Sequence, residues 1–367
     1  MSTDLLFYEA SDGFAEFDGV HNGFLTTLRS VVGSRTDWTQ IIDGVFDGTG
    51  VSQLVFYDSG TGTLQLYYVD APGGDEVTPD GLLDLVLQQT VENWRPGCRL
   101  IAGTFFGSPG ADPGTLAPGF TQLLVYDPRA GTGDFYSVIE SKLDHVQHYS
   151  GWRTSWDRIV PGNFGGDGLC DLLFYEASSG TGEFYVVEND SMSLLHSYTD
   201  WRSSWTQIVP GDFGSTQYTD LVFYDGMGTG QFWAVDKGNI ELLQSYGEWR
   251  TSWKQIISGT FAGNDFTFPG APGSDLLFYD GMGTGQFWAV DEGQISLLQS
   301  HTDWRSSWSE IVPGRFTQEV PVSRAASAAR RPTSPSSAPN GQSPAATSAR
   351  SSRTTSKTPY GTQCEPT

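Results

Sequence analysis

The sequence predicts an all-β fold: a six-bladed β-propeller of four-stranded blades, its ring closed by a C-terminal strand that joins the N-terminal blade. Three observations carry this expectation. A phrase of aspartate, two apolar residues, an aromatic, Tyr and an acid recurs with a base period of 49 residues. Each unit divides into four short apolar segments bounded by Gly, Asp, Asn or Ser. The chain starts at the second segment of a unit, and the repeat stops at a first segment. A period of roughly 40–50 with several short strands per unit is a propeller signature.

Clear copies of the phrase occupy residues 4–9, 171–176, 220–225 and 275–280, with weaker ones starting at Gln53 and Gln122. Successive starts are 49, 69, 49, 49 and 55 residues apart, so the two longer gaps contain insertions. In the clearest unit the four segments are 156–164, 171–175, 183–187 and 194–198. The first alternates, with Trp156, Arg158 and Val160 facing one way and Asp157 and Ile159 the other, until Pro161 and Gly162 interrupt it. The run Leu172-Leu173-Phe174-Tyr175 is continuously apolar, as expected of a strand sandwiched between neighbouring blades. If the segment ending at Phe316 is the inner strand of the blade begun by Asp4, the ring closes at six blades and hides its sheet edges. Seven blades, one lost by truncation, is the alternative.

The 367 residues are enough for a large core. Acidic residues number 43 against 20 basic, a formal charge of −23. Such a surface repels phosphate backbones and argues against a nucleic-acid partner. Cys98, Cys170 and Cys364 are far apart and form neither a disulfide framework nor a zinc motif. No apolar run approaches the ~18 residues of a membrane span, and no signal peptide is visible at the N-terminus. Residues 1–316 are read as the propeller. Residues 317–367 are rich in Ser, Ala, Pro and Arg and are expected to be a disordered tail, either a linker or a translated frameshift. The tail carries a net +4, which leaves −27 on the propeller. The chain is expected to be a monomer.

The stretch from Pro161 to Leu173, Pro-Gly-Asn-Phe-Gly-Gly-Asp-Gly-Leu-Cys-Asp-Leu-Leu, resembles the FG-GAP/VCBS type of propeller repeat. That family carries D-x-N-x-D-G-x-x-D as a calcium loop between the first two strands of a blade. The resemblance implies Ca²⁺ ligation by Asn163, Asp167 and Asp171, three of four ligand positions, with Gly165 at the fourth. Calcium needs six to eight oxygens, so backbone carbonyls and water would complete the shell. The other reading of these residues is a set of Asx-turns, in which Asn and Asp cap tight turns and Gly permits positive φ. The wider pattern, W-R-[ST]-S-W with Y-[DE]-x-x-G-T-G-x-F, looks like repeat arrays of secreted actinobacterial proteins, which implies an extracellular location.

W-R-[ST]-S-W occurs at Trp152-Arg153, Trp201-Arg202, Trp249-Arg250 and Trp304-Arg305, ending at Trp156, Trp205, Trp253 and Trp308. Trp94-Arg95 is a partial form, and Trp38 stands alone at the second Trp position. The element links one blade's outer strand to the next blade's inner strand, on the face where the Gly-Thr-Gly turns emerge. An indole, a guanidinium and a carboxylate such as Glu176, Asp225 or Asp280 then meet at each junction. That chemistry suits a sugar, whose apolar side stacks on the indole while Arg and acid take its hydroxyls. Six-bladed fucose-binding lectins work with such sets; the likeness is chemical analogy, since their sequence motifs are not present. The second Trp, on a strand, is expected in the core, and the first is the ligand candidate. The competing reading is structural, with Trp wedging blades and Arg tying turns.

Catalysis usually needs a unique constellation, whereas most acids here repeat blade by blade. His21, His145, His148, His196 and His301 read as scattered, and neither G-x-S-x-G nor HExxH is present. The non-repetitive segments are 71–84, 107–119 and 262–273. The expectation is therefore a non-enzymatic, multivalent carbohydrate-binding propeller whose partner is a glycan or a protein surface. The alternatives are a scaffold without a sugar ligand and a glycan-processing enzyme using the inserted loops. A single deep acidic pocket beside the insertions would favour the enzyme.

Overall fold

A computed structural model describes residues 3–70, 83–106, 120–188, 191–214, 216–262 and 273–317. The predicted tail beyond Thr317 and most of the three non-repetitive segments lie outside these residues. The described chain forms 24 β-strands and no helix.

Blade 1 holds β1 (Asp4–Glu9), β2 (Phe14–His21) and β3 (Phe24–Val31). Blade 2 is β4 (Gln40–Gly44), β5 (Gln53–Asp58), β6 (Thr63–Asp70) and β7 (Asp84–Val91). Blade 3 is β8 (Arg99–Gly103), β9 (Gln122–Asp127), β10 (Thr132–Ile139) and β11 (Lys142–Ser150). Blade 4 is β12 (Arg158–Gly162), β13 (Asp171–Glu176), β14 (Thr181–Glu188) and β15 (Ser191–Tyr198). Blade 5 is β16 (Gln207–Gly211), β17 (Asp220–Tyr224), β18 (Gly230–Asp236) and β19 (Asn239–Tyr246). Blade 6 is β20 (Gln255–Gly259), β21 (Asp275–Tyr279), β22 (Gly285–Asp291) and β23 (Gln294–His301). Finally β24 (Glu310–Gly314) returns to blade 1 and pairs with β1, from Asp4 opposite Gly314 to Tyr8 opposite Glu310. The ring has six blades and the predicted closure; the seven-blade alternative falls.

The repeated apolar phrase builds the second strand of each blade and packs both of its faces. In β13, Leu172 and Phe174 join the core shared with blade 3, while Leu173 and Tyr175 join the core shared with blade 5. Side chains alternate with period two, so a continuously apolar strand feeds two interfaces at once. The aspartate that opens the phrase is buried as well. Asp220 accepts the N–H groups of Phe213 and Gly214 on one oxygen and that of Val235 on the other, at 2.7–3.1 Å. Asp4 does the same for the seam, taking the N–H groups of Phe316 and Thr317 at 2.9 Å. Gln53 and Gln122 replace it in blades 2 and 3 and accept from Phe46 and Phe105. These side chains tie the first-to-second-strand loop to the sheet by satisfying amides that the turn leaves unpaired.

One glycine position shows how tightly the blades meet. A Cβ on Gly182 would lie 2.5 Å from the Trp201 ring, and the same clash recurs for Gly133, Gly230 and Gly285 against Trp152, Trp249 and Trp304. The indole lies flat on a backbone that must carry no side chain. Gly182→Ala should therefore cost about 1–3 kcal/mol, the usual penalty of overpacking, read as a lower urea midpoint at unchanged slope.

Candidate functional site

Each blade junction is pinned in the same way. The N–H of Trp152, Trp201, Trp249 and Trp304 donates to Gly131, Gly180, Gly228 and Gly283 in the turn after the second strand, at 2.9–3.1 Å. The Trp-Arg loops and the Gly-Thr-Gly turns thus share one face. The next carbonyl accepts a buried tyrosine hydroxyl, as from Tyr126 to Arg153 at 2.6 Å and from Tyr279 to Arg305 at 2.7 Å. Tyr8 gives its hydroxyl to Arg35 in the same manner at 2.5 Å. Arg35 is a member of the series that the sequence reading passed over. The signal was its place three residues before Trp38, which is the Arg-to-Trp spacing of every other copy.

The guanidiniums of Arg153, Arg202, Arg250 and Arg305 lie over Trp156, Trp205, Trp253 and Trp308 at 4.7–5.3 Å. Those second Trp residues are buried, as expected. Arg153 pairs with Glu183 at 2.6 Å and Glu176 at 3.4 Å, Arg305 pairs with Glu9 at 3.1 Å, and Arg250 stands 3.8 Å from Asp280. Hydrogen bonds from Ser155 and Ser179, with Arg153 beside it, hold the Glu176 carboxyl below its ordinary range. Burial pushes Asp225 and Asp280 up, but the amides of Thr229 and Met227, and of Thr284 and Met282, outweigh it and leave both lowered.

The first indoles are half-buried. Trp152 stacks on Tyr149 at 20° and meets Phe174 of the next blade edge-on at 5.0 Å. Trp201 does so with Tyr198 and Phe223, Trp249 with Tyr246 and Phe278, and Trp304 with His301 and Phe7. With a glycine backbone beneath each ring, little indole face is left for a pyranose. The structure commits the first indoles to aromatic neighbours and the guanidiniums to the second Trp, with an acid paired to Arg153, Arg250 and Arg305.

The loop expected to ligate calcium is held by its own backbone amides. Asn163, Asp167 and Asp171 do share a loop, yet their oxygens are committed to backbone amides. Asn163 Oδ1 accepts from Gly166, Asp167 Oδ1 from Leu169, and Asp171 from Gly165 and Val187. Burial pushes the Asp171 carboxyl up to about 7. Among the described residues, no group of three or more His, Cys, Asp or Glu is arranged to hold a metal. Cys98 and Cys170 are buried free thiols.

A different site lies on the axis. The first residues of the six inner strands form a ring of Gln40, Arg99, Arg158, Gln207, Gln255 and Glu310. Each inner strand presents a free edge to the channel, and ring members reach sideways to the neighbouring blade. Gln40 exchanges two hydrogen bonds with the backbone of Leu100, at 3.0 and 3.1 Å. Gln207 accepts from Ile256 N–H at 2.8 Å, and Arg99 donates to the carbonyl of Asp157 at 2.8 Å. Glu310, the one carboxylate of the ring, accepts from Ile41 N–H. Burial outweighs that bond and pushes its carboxyl up to about 7.

Beside Glu310 is a cavity of about 300 Å³. Its walls are mainly Ile42, Ile101, Ile159, Pro161 and Pro313, and its second acid is Asp43, which accepts from Ser52 Oγ at 3.2 Å. Sequence reasoning missed Glu310 and Asp43 because neither acid recurs at its position in the other blades. Aligning the six inner strands position by position would have exposed them as the only ring acid and the only acid four residues into a strand.

The chain is similar to known structures at low identity. A Pseudomonas aeruginosa periplasmic gluconolactonase is 12% identical over 85% of each chain, with a TM-score of 0.48. A Bacteroides fragilis protein provisionally assigned as a 6-phosphogluconolactonase is 10% identical, covering 83% of this chain and 96% of its own, also at 0.48. A Bacteroides uniformis protein with the same provisional assignment is 14% identical over 82% and 83%, at 0.44. No family model matches the chain, and no curated protein matches it in sequence. The FG-GAP/VCBS resemblance therefore holds only for the propeller architecture. Against the expectation that the chain is not an enzyme, the proteins it is similar to include a gluconolactonase.

Proposed function

We propose that the protein is a hydrolase that takes a small, neutral, sugar-derived substrate into the axial cavity. The observation that carries this reading is Glu310, the one acid in a ring of amides and guanidiniums, beside the axial cavity and with its carboxyl pushed up to about 7. A general base works best when its pKa lies near the working pH. Ionised Glu310 takes a proton from water, the water oxygen bonds to the electrophilic carbon, and the proton returns to the departing oxygen as the C–O bond breaks. Asp43, held by Ser52, is the second acid of the cavity lining. The apolar walls suit the faces of a sugar ring, and a cavity of about 300 Å³ suits a monosaccharide-sized ligand. Two carboxylates in a chain of net −23 disfavour an anionic substrate. This reading places the sugar on the axis rather than at the Trp-Arg junctions, where the indole faces are largely covered.

Glu310→Gln tests it cleanly, because Gln40, Gln207 and Gln255 are the residues other blades use at this position. The variant should unfold at or above the parent's temperature and lose about 10²–10⁴ in turnover of chromogenic glycosides and neutral lactones. Undiminished turnover in the variant, or a parent that turns over no member of such a panel, would overturn the assignment.

A further inference from the structure

The chain has 12 tryptophans, and among the described residues all but Trp233 and Trp288 meet another aromatic ring. These two hold the same place on the third strands of blades 5 and 6, which both run Gly-Gln-Phe-Trp-Ala-Val-Asp. Both are half-buried. Blades 2 and 4 have a tyrosine there and serve as controls. Tyr67 donates its hydroxyl to Gln65 Oε1 and Tyr185 to Glu183 Oε2, each at 2.9 Å. Their rings meet Phe56 and Phe174 edge-on at 5.2 and 5.6 Å. Among the described residues Trp233 and Trp288 make neither contact, although Phe223 with Gln231 and Phe278 with Gln286 stand at the corresponding places.

Each indole belongs to a small neutral patch. Residues two apart on a strand share a face, so Gln231 lies beside Trp233 and Gln286 beside Trp288. On the outer strand Leu242 is opposite Trp233 and Ser245 opposite Gln231, and Leu297 and Ser300 repeat this in blade 6. The two leucines are 43% and 49% exposed. Gln231 Nε2 donates to Ser245 Oγ and Gln286 Nε2 to Ser300 Oγ, both at 3.3 Å. That leaves each amide oxygen and each indole N–H without a protein partner among the described residues. Neither set of four contains a charge, whereas blade 4 has Glu183 at the amide position and blade 1 has Glu16 and Asp18 on this face.

An open indole suits the C–H face of a pyranose, and an amide oxygen with a hydroxyl beside it suits the sugar's own hydroxyls. Size decides against a protein partner. An aromatic side chain covers about 150–250 Å², far short of the ~800 Å² per partner of a stable protein interface, yet enough for one sugar ring. We propose that the outer wall of blades 5 and 6 carries two equivalent subsites for a neutral glycan, centred on Trp233 and Trp288. They are separate from the axial cavity, which the inner strands line, and from the Trp-Arg loops, whose indoles are covered. They stand whether or not the axial cavity is catalytic. Two subsites on neighbouring blades favour a glycan of repeated units over a single sugar, because the second contact is made at high effective concentration.

The test is calorimetric titration of the full chain carrying Glu310→Gln, so that turnover on the axis does not intrude, with maltotriose, cellotriose, mannotriose and xylotriose in turn. At least one should bind at two equivalents beyond any held on the axis. Trp233→Tyr/Trp288→Tyr installs the residue of blades 2, 3 and 4, so the double variant should fold. Its hydroxyls close on Gln231 and Gln286, and both equivalents should weaken about 10- to 100-fold, as when a tryptophan anchor is lost. Trp233→Tyr alone should remove one of the two. An axial equivalent persists in both variants, which separates failure of these subsites from failure of the axial site. Binding of none of these sugars, or a double variant that binds as before, overturns the proposal. So does a dimer in sedimentation that the double variant abolishes, because a second copy would then cover the patches.

Discussion

Deletion of residues 303–317 should abolish the cooperative unfolding transition rather than lower its midpoint. This segment supplies all of β24, whose residues pair with the whole of β1 but for Glu9. It also carries Trp304, Trp308, Ile311, Val312 and Phe316 into the two cores that flank blade 1. Large-to-small changes at single core positions cost about 2–5 kcal/mol each, so losing several at once exceeds the 5–15 kcal/mol that holds a typical domain together. A chain ended after Glu319 keeps every one of these contacts and should melt as the parent does. A deletion variant with a sharp transition near the parent's temperature would contradict the closed ring.

The second large effect is on pH. Burial raises Asp171 and Glu310 to about 7 and Asp18 and Asp275 to about 6. Each binds a proton more readily in the folded than in the unfolded chain, so each adds stability that is complete below about pH 4 and lost as pH rises through its folded value. A tenfold difference in proton affinity is worth about 1.4 kcal/mol, so holding each carboxylate ionised at pH 8 costs the fold roughly 3–4 kcal/mol. Glu9, Asp37, Glu176, Asp225 and Asp280 are shifted down and act in the opposite sense, losing their contribution below about pH 4. Stability should therefore peak near pH 5 and fall by several kcal/mol by pH 8, visible as a lower guanidinium midpoint. A protein most stable at pH 7–8 would show that these carboxylates are not held as described. Asp18 offers a single-site check. It occupies the place of Tyr67, Tyr136, Tyr185, Trp233 and Trp288, and one of its oxygens is buried without a partner.

The fold was legible because burial repeats. Leu172, Leu173, Phe174 and Tyr175 each face a core, so every blade must restate them, and the period and the closure followed. The sites were legible only where they too repeat. Trp152-Arg153 and its copies stood out, but repetition marked them as parts of the blade interface, where Tyr126 and Glu176 engage them. Glu310 was hidden at the end of W-R-S-S-W-S-E, since its distinction lies in what the other five inner strands carry. His145 and His148 looked scattered because the bulge that brings both to Asp134 is a backbone feature with no residue signature of its own. Arg35 was lost because Ser34 replaces the first Trp of its element.

The partnership of Asp4 with Gly314 also has a consequence for how the protein comes to exist in the cell. On the ribosome, blades 2 to 6 can assemble as they emerge, each from strands neighbouring in sequence. Blade 1 cannot, because three of its strands leave first and wait for the fourth, which is made last. Closing so long a loop costs only about 1–2 kcal/mol more than closing one repeat, but contacts between distant residues slow folding. Until synthesis reaches Phe316, the edge of β1 that β24 pairs with stays open, and that interval is when the nascent chain is most exposed to wrong strand pairing.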